Sequence, residues 1–200
     1  MATKTKKTDN SNLSAKLELR RYFLRKYHAT DLPHVLDCCQ GSGVIWSELR
    51  KEFELGSYWG VDLKPKRGRL RLDSSRILAQ PGWAQNVIDI DTYGSPWKHW
   101  TVMLPNVTRP ITVFLTIGQS KKGIVGSVDT INLRAAGLVF PTLRLPAAFH
   151  VKLSKIFPTY CLAISYDYGI IITEAVEAVS TGSARYIGVR LKPEKSAGVS

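Results

Sequence analysis

Between residues 34 and 117, short apolar segments of strand length alternate with amphipathic segments of helical length. This alternation is the strongest constraint on the fold, because strand–helix–strand repeats place consecutive strands parallel in one sheet, with helices packed on its faces. The segment 111–117 is nearly continuous in Ile, Val, Phe and Leu, which is typical of a strand buried on both faces. The pattern therefore predicts an α/β protein with a mostly parallel sheet.

Periodicity and the positions of glycine and proline define the individual elements. The predicted strands of this region are 34–39, 58–63, 69–73, 86–91 and 111–117. The predicted helices are 14–29, 44–53, 74–80 and 96–104, with further helical patterns at 128–136 and 146–166. Two final strands, 170–179 and 184–191, are separated by a short turn segment, and this hairpin spacing predicts that the last strand is antiparallel to the others.

Acidic residues stand at the ends of four successive predicted strands. They are Asp37, Asp62, Asp73, Asp89 and Asp91. Because ligands of open α/β sheets bind at the carboxyl edge, where these strand ends meet, the acids indicate a binding site at that edge. For Asp62 and Asp73 an alternative stays open, since aspartate also caps the helix that follows a strand.

Two glycines, Gly41 and Gly43, separate the first strand from the next helix. Glycine there lets the backbone approach a ligand closely, and an acid ending the second strand, here Asp62, can accept hydrogen bonds from ribose hydroxyls. A nicotinamide-binding fingerprint would need a third small residue, but Trp46 stands at that position. The spacing therefore favours another nucleotide-like ligand.

Two segments carry a resemblance to a known family. Residues 37–43, Asp-Cys-Cys-Gln-Gly-Ser-Gly, resemble the first motif of class I S-adenosylmethionine-dependent methyltransferases. Residues 89–96, Asp-Ile-Asp-Thr-Tyr-Gly-Ser-Pro, are similar to the fourth motif of tRNA guanine-N2 dimethyltransferases and, more loosely, of DNA amino-methyltransferases. The resemblance covers residues 34 to 192 and implies a Rossmann-like, seven-stranded methyltransferase sheet, with helices on both faces. Cys39, where the family has glycine, and Thr92, where it has proline, depart from the pattern.

The resemblance also implies roles for individual residues. The cofactor S-adenosyl-L-methionine would be bound by Asp37, Cys39, Gly41, Gly43, Asp62, Asp73 and Asp89. The Asp91 carboxylate and the Thr92 carbonyl would accept hydrogen bonds from an exocyclic amine, and Tyr93 would stack on its base. The reaction needs no metal, because the methyl group of a sulfonium is already activated.

The chain has 28 Lys and Arg against 16 Asp and Glu, a formal net charge of +12, which predicts a polyanionic partner, DNA or RNA. Basic residues cluster at 64–71, at 121–122 and along the helix 14–29. The substrate-binding candidates are Lys64, Lys66, Arg67, Lys121 and Lys122, with Tyr93 and Trp97 for base stacking. A solvated basic face is the alternative interpretation of the same charges.

The predicted organisation is a basic N-terminal tail and helix, 1–33, followed by a methyltransferase domain, 34–200. Three cysteines, two of them adjacent, suit neither a disulfide framework nor a zinc site, which favours reduced thiols and a cytoplasmic location. No apolar segment reaches the length of a membrane helix.

The sequence thus predicts a methyltransferase that N-methylates an exocyclic amine of a nucleic acid base. Two alternatives stay open, a non-catalytic nucleic-acid-binding protein with a methyltransferase-like fold, and a methyltransferase of small molecules or proteins. The oligomeric state is left undetermined.

Overall fold

The computed structural model describes residues 12–64, 70–92, 95–118, 162–178 and 184–194. Several predictions fall outside these ranges. They concern the helix 128–136, most of the helix 146–166, and the residues Lys66, Arg67, Tyr93, Lys121 and Lys122.

Helices and strands alternate along the first half of the chain, as the sequence predicts. The strands are β1 (His34–Asp37), β2 (Ser57–Gly60), β3 (Val87–Ile90), β4 (Ile111–Ile117), β5 (Ile170–Ala178) and β6 (Arg185–Pro193). The α-helices are α1 (Leu13–Tyr27), α2 (Val44–Leu49), α3 (Ser74–Leu78) and α4 (Trp97–Met103). Short 3-10 helices cover Leu104–Asn106 and Ile164–Tyr168.

The described strands form one sheet in the order β2-β1-β3-β4-β6-β5. The pairs β1–β2, β1–β3 and β3–β4 are parallel, whereas β6 is antiparallel to both β4 and β5. This arrangement confirms the mostly parallel α/β sheet and the antiparallel last strand. The carboxyl ends of β1, β2 and β3 consequently lie side by side at one edge.

The predicted strand 69–73 is not a strand in the described part of the chain, so the sheet has six strands and not seven. Among the residues described there, one bridge forms, between Asp62 and Arg71, with hydrogen bonds of 3.3 Å from Asp62 N to Leu70 O and 3.1 Å from Leu72 N to Asp62 O. The reason is local: Asp73 already caps α3, so too few residues precede the helix to extend a ladder.

Both faces of the sheet are covered, as expected for a parallel sheet. Because neighbouring strand residues point to opposite faces, Val35 packs with the α1–α2 side and Leu36 with the α3–α4 side. All residues of β4 are buried. Among the described residues, no helix has the length and apolar character needed to cross a bilayer.

Helix α1 lies close against β4 and β6. The Phe23 ring packs edge-on against Phe114 at 5.8 Å, and a Cβ added at Gly188 would lie 2.5 Å from Phe23 Cε2. The absence of a side chain at Gly188 thus permits this close approach. The buried side of α1 includes Lys16 and Arg20, two members of the basic cluster along the predicted helix 14–29. These two side chains do not face solvent, because both reach the carboxyl edge of the sheet.

Candidate active site at the carboxyl edge of the sheet

The loop between β1 and α2 turns on its glycines. Gly41 has φ of 51° and Gly43, the N-cap residue of α2, has φ of 72°, a left-handed backbone that other residues adopt at a cost. Gly43 N donates to the Gln40 carbonyl at 2.7 Å, which closes the turn. The loop therefore holds backbone groups at the strand edge without side chains in the way.

Asp62 is fixed by this loop. Its Oδ2 accepts a hydrogen bond from Gly41 N at 2.9 Å and its Oδ1 one from Lys64 N at 2.8 Å. Each carboxylate oxygen has two lone-pair directions, so each retains one for a further donor such as a hydroxyl. Next to it, Leu63 and Leu70 expose 59% and 51% of their surface, which offers an apolar place for a flat ring.

Asp73 caps α3, the alternative that the sequence leaves open. Its Oδ1 accepts from Ser75 N at 3.0 Å and from Ser75 Oγ at 2.7 Å, while its Oδ2 lies 3.8 Å from Lys98 Nζ. The hydrogen bonds from Ser75 lower the pKa of Asp73.

Asp89 is buried, with 1% of its surface exposed. Arg20 Nε donates to Oδ2 at 2.8 Å and Arg20 Nη2 to Oδ1 at 2.6 Å, and Trp46 Nε1 donates to Oδ2 at 2.7 Å. This carboxylate anchors α1 and α2 to the sheet. The prediction that Asp89 contacts the cofactor is corrected accordingly, because three protein donors enclose it away from solvent.

Asp91, the predicted amine acceptor, is paired with Lys16. Lys16 Nζ lies 2.8 Å from Oδ1 and 2.7 Å from Oδ2, and the two side chains are 7% and 16% exposed. The neighbouring Thr92 Oγ1 is buried and has no hydrogen-bond partner in the described part of the chain. A half-buried carboxylate and an unpaired hydroxyl thus lie together directly after β3.

Asp37 lies near Asp89 and Asp91. These three carboxylates face two cations, Lys16 and Arg20. The Tyr58 hydroxyl donates to Asp37 Oδ2 at 2.8 Å and accepts from Gln40 Nε2 at 3.1 Å. Burial, followed by the charges of Asp89 and Asp91, raises the pKa of Asp37 to about 8. With Asp37 protonated near neutral pH, two carboxylates balance two cations.

Protein stability should therefore fall as the pH rises from about 6.5 to 8. Between its ordinary pKa of 3.8 and about 8, native Asp37 holds a proton that the unfolded chain lacks, so the free energy of unfolding decreases with pH. Buried His28 and His99, whose pKa values are lowered from 6.5 to about 4, act in the opposite direction, and their effect fades as the pH rises through and above 6.5. Urea denaturation across this range measures the effect.

The Asp37→Asn variant should lose this decrease, because it removes the titrating carboxyl. Asp167→Asn, an exposed position in the 3-10 helix Ile164–Tyr168, is the matched control and should retain the wild-type slope. If the free energy of unfolding of Asp37→Asn fell with pH as steeply as that of the wild type, another group would be responsible for the titration.

The thiols beside this cluster are poor nucleophiles. Burial raises the pKa of the Cys38 thiol and of the half-buried Cys39 thiol well above the ordinary value. Cys39 lies in the glycine loop, as the sequence predicts, but its thiol stays protonated at neutral pH.

His99 joins the site from α4, and the sequence analysis missed it. Ser74 Oγ donates to the Cys38 carbonyl at 2.8 Å, so the 2.9 Å contact with His99 Nε2 has the imidazole as donor. This tautomer leaves Nδ1 as a buried acceptor with no partner among the described residues. The sequence also gives no sign of the parts played by Arg20 and Lys16, because their partners lie 69 and 75 positions away.

Two surface predictions change with the structure. Trp97 is completely buried in the α3–α4 side of the core, so the prediction that it stacks on a base is wrong. The exposed cations of α1 pair within the protein: Arg21 and Arg25 with Glu52, and Lys26 with Glu174. Exposed cations also lie on α4 and near Asp62 and Asp73 in the chain; they are Lys64, Arg71, Arg76 and Lys98, of which Lys98 lies 3.8 Å from Asp73 Oδ2.

Comparison with solved structures identifies the fold. A structure of Trm1 from Pyrococcus horikoshii with S-adenosyl-L-methionine matches with a TM-score of 0.62 at 16% identity, over 90% of this chain and 54% of that one. TYW2 from M. jannaschii in complex with AdoMet matches with a TM-score of 0.55 at 8% identity, over 95% and 79% of the two chains. A candidate hemolysin from Lactococcus lactis matches with a TM-score of 0.54 at 13% identity, over 90% and 88%.

The chain therefore has the class I methyltransferase fold, with six strands in its described part. It spans about half the length of the Trm1 chain. No protein-family model matches the sequence, and no curated protein matches it.

Proposed function

We propose that this protein is an S-adenosylmethionine-dependent methyltransferase that N-methylates an exocyclic amine of a nucleic acid base. The observation that carries the proposal is the placement of two differently held carboxylates, Asp62 beside the glycine loop and Asp91 after β3, at one edge of the sheet. Trm1, a tRNA guanine-N2 dimethyltransferase, and TYW2 support it, since both share the fold and were solved with this cofactor.

The residues at the edge fit the cofactor. Asp62 retains lone pairs for two ribose hydroxyls, the left-handed loop at Gly41 and Gly43 leaves room for close approach, and Leu63 and Leu70 suit the adenine ring. When bound, S-adenosylmethionine supplies a methyl group that is activated as a sulfonium. The protein is consequently left with binding and orientation, and a nucleophilic side chain is not needed.

Asp91 has the chemistry to orient an acceptor amine. The lone pair of a base amine is delocalised into the ring, and acceptors on its two N–H groups draw it towards tetrahedral geometry. Each Asp91 oxygen uses one direction for Lys16 and keeps another for an amine proton, and the Thr92 carbonyl is the second acceptor. Asp91 can also take the proton that the amine loses after transfer.

The charge distribution supports a nucleic acid as substrate. The outer cations of α1 pair with Glu52 and Glu174, whereas the exposed cations near Asp62 and Asp73 place positive charge beside the candidate cofactor site. Lys64 and Arg71 come together through the Asp62–Arg71 bridge, and Lys98 approaches Asp73. Phosphate contacts of this kind position a nucleic acid without reading its sequence.

A non-catalytic nucleic-acid-binding protein of the same fold is the second candidate. The pairing of Asp91 with Lys16 favours it, because an ion pair can be purely structural. The two candidates differ in one outcome, which is methyl transfer.

Incubation with S-adenosylmethionine labelled in the methyl group, and with a panel of DNA, tRNA and protein, tests the proposal. Nuclease digestion and nucleoside analysis should find the label on a base amine. Label in protein alone would refute the nucleic acid substrate, and nucleic acid binding without any transfer would favour the second candidate.

Charge reversal should locate the nucleic acid surface. The double variant Arg71→Glu/Arg76→Glu should weaken binding to tRNA or DNA by about tenfold or more, and should lower the dependence of log K on log salt by about 0.9 per lost phosphate contact on duplex. Fluorescence anisotropy at several salt concentrations measures both quantities. Arg25→Glu on α1 is the control, and an equal loss there would move the binding surface to α1.

A further inference from the structure

We propose that Lys16 is a positioning residue, which holds the Asp91 carboxylate in the orientation that the acceptor amine needs. This inference rests on the proposed function, because Asp91 meets an amine only if the protein is a methyltransferase. Lys16 lies on α1, outside the segment 34–192 over which the sequence resembles the methyltransferase family. The helix that precedes the sheet would thus complete the active site.

The contact between the two side chains has two points. Lys16 Nζ is 2.8 Å from Asp91 Oδ1 and 2.7 Å from Oδ2, so the ammonium faces both oxygens. Because one nitrogen meets both oxygens almost equally, the ammonium lies on the side of the carboxylate opposite Cβ and fixes the direction in which the Asp91 side chain points. Each oxygen keeps a lone pair on its other side, so a carboxylate held in this direction can accept hydrogen bonds from an amine.

The distance between the two cations along α1 matches the distance between the two acids at the end of β3. Lys16 and Arg20 are four residues apart on a helix, a rise of about 6 Å. Asp89 and Asp91 are two residues apart along an extended chain, a rise of about 6.6 Å. The Arg20–Asp89 and Lys16–Asp91 pairs therefore form side by side, and the buried Arg20 pair fixes the register for the Lys16 pair.

Other contacts restrict Lys16 further. Arg20 Nη1 donates to the Lys16 carbonyl at 2.9 Å, which ties the two residues within one helical turn. Lys16 Nζ also lies 5.2 Å from the centroid of the Tyr186 ring, and Tyr186 is itself 3% exposed. A surface lysine would sample many conformations, but this one is held by an aromatic ring, a carboxylate and its own helix.

The kinetics of four proteins test the proposal: wild type, Lys16→Met, Lys16→Arg and Lys26→Met. Methionine keeps the length of the side chain and removes the charge, and arginine keeps the charge. Lys26→Met is the matched control, since Lys26 lies on the same helix as Lys16, pairs with Glu174 of β5 and has a 46% exposed side chain. The acceptor is the nucleic acid that the labelling panel identifies.

Lys16→Met should lower kcat about tenfold or more, while the Kd for S-adenosylmethionine, measured by calorimetry, stays within about twofold of the wild type. Lys16→Arg should restore most of the rate, and Lys26→Met should leave it unchanged. In an Asp91→Asn background, Lys16→Met should cause less than a twofold further loss, because Lys16 acts through the carboxylate that this background has removed.

Three results would overturn the proposal. They are a Lys16→Met enzyme as fast as the wild type, equal losses in the Met and Arg variants, and losses that multiply in the Asp91→Asn background. If Lys16→Met does not fold, Lys16→Gln, which also removes the charge, takes its place in each of these comparisons. A folded wild type that transfers no methyl group would instead remove the proposed function, and with it the reaction that Lys16 would serve.

Discussion

Replacement of Arg20 by methionine is expected to lower the free energy of unfolding by about 3–5 kcal/mol. Arg20 and Asp89 side chains are 2% and 1% exposed, and the guanidinium contacts both carboxylate oxygens. Without it, the buried Asp89 would keep only the hydrogen bond from Trp46 Nε1. An unpaired charge in this position is among the most destabilising single changes a protein can undergo.

Chemical denaturation of the wild type and three variants isolates this effect. Arg20→Met/Asp89→Asn should recover a large part of the loss, because the asparagine is neutral and its carbonyl can still accept from Trp46. Arg25→Met, whose side chain is 66% exposed and 3.8 Å from Glu52, should differ little from the wild type. If Arg20→Met were no less stable than Arg25→Met, the pair with Asp89 would not anchor α1.

Asp91→Ala is expected to reduce methyl transfer by a factor of about 10² to 10³, the usual cost of removing one preorganised hydrogen-bonding group from an active site. Binding of S-adenosylmethionine should change little, because Asp62 and the glycine loop lie on other strands of the edge. Single-turnover assays with labelled cofactor measure the transfer step, and calorimetry measures the binding.

Asp91→Asn and Asp167→Ala complete this series. The asparagine keeps one acceptor oxygen and should retain part of the rate, whereas Asp167, exposed and distant in the fold, should be replaceable without loss. Since Asp91→Ala leaves Lys16 unpaired, its unfolding free energy is measured alongside. Turnover equal to that of the wild type in a folded Asp91→Ala protein would remove Asp91 from the mechanism.

The sheet and its acidic edge could be predicted because both depend on local patterns. Apolar runs define β1, β3 and β4, and the acids that follow them lie at the carboxyl edge in any parallel sheet. The predicted strand 69–73 was wrong because the same few residues also have to provide the N-cap of α3, Asp73, which competes with strand formation.

The partners of the acids could not be predicted in the same way. Arg20 and Asp89 are 69 positions apart, and tertiary packing such as that of Phe23 over Gly188 brings α1 to the site. A basic residue on a helix resembles a surface residue until a buried carboxylate is found opposite it. Trp97 is the opposite case, a residue predicted at the surface that lies in the core. An aromatic residue at the start of a helix does not reveal which side of that helix faces the core.

Calorimetric titration of S-adenosylmethionine into the wild type, Asp62→Ala and Asp167→Ala tests most directly whether the carboxyl edge is a cofactor site. We expect one-to-one binding to the wild type and to Asp167→Ala with a Kd below about 1 mM, and binding at least about tenfold weaker for Asp62→Ala, which loses charged acceptors for two hydroxyls. Absence of binding to the folded wild type, or equal affinity in Asp62→Ala, would contradict this assignment of the site.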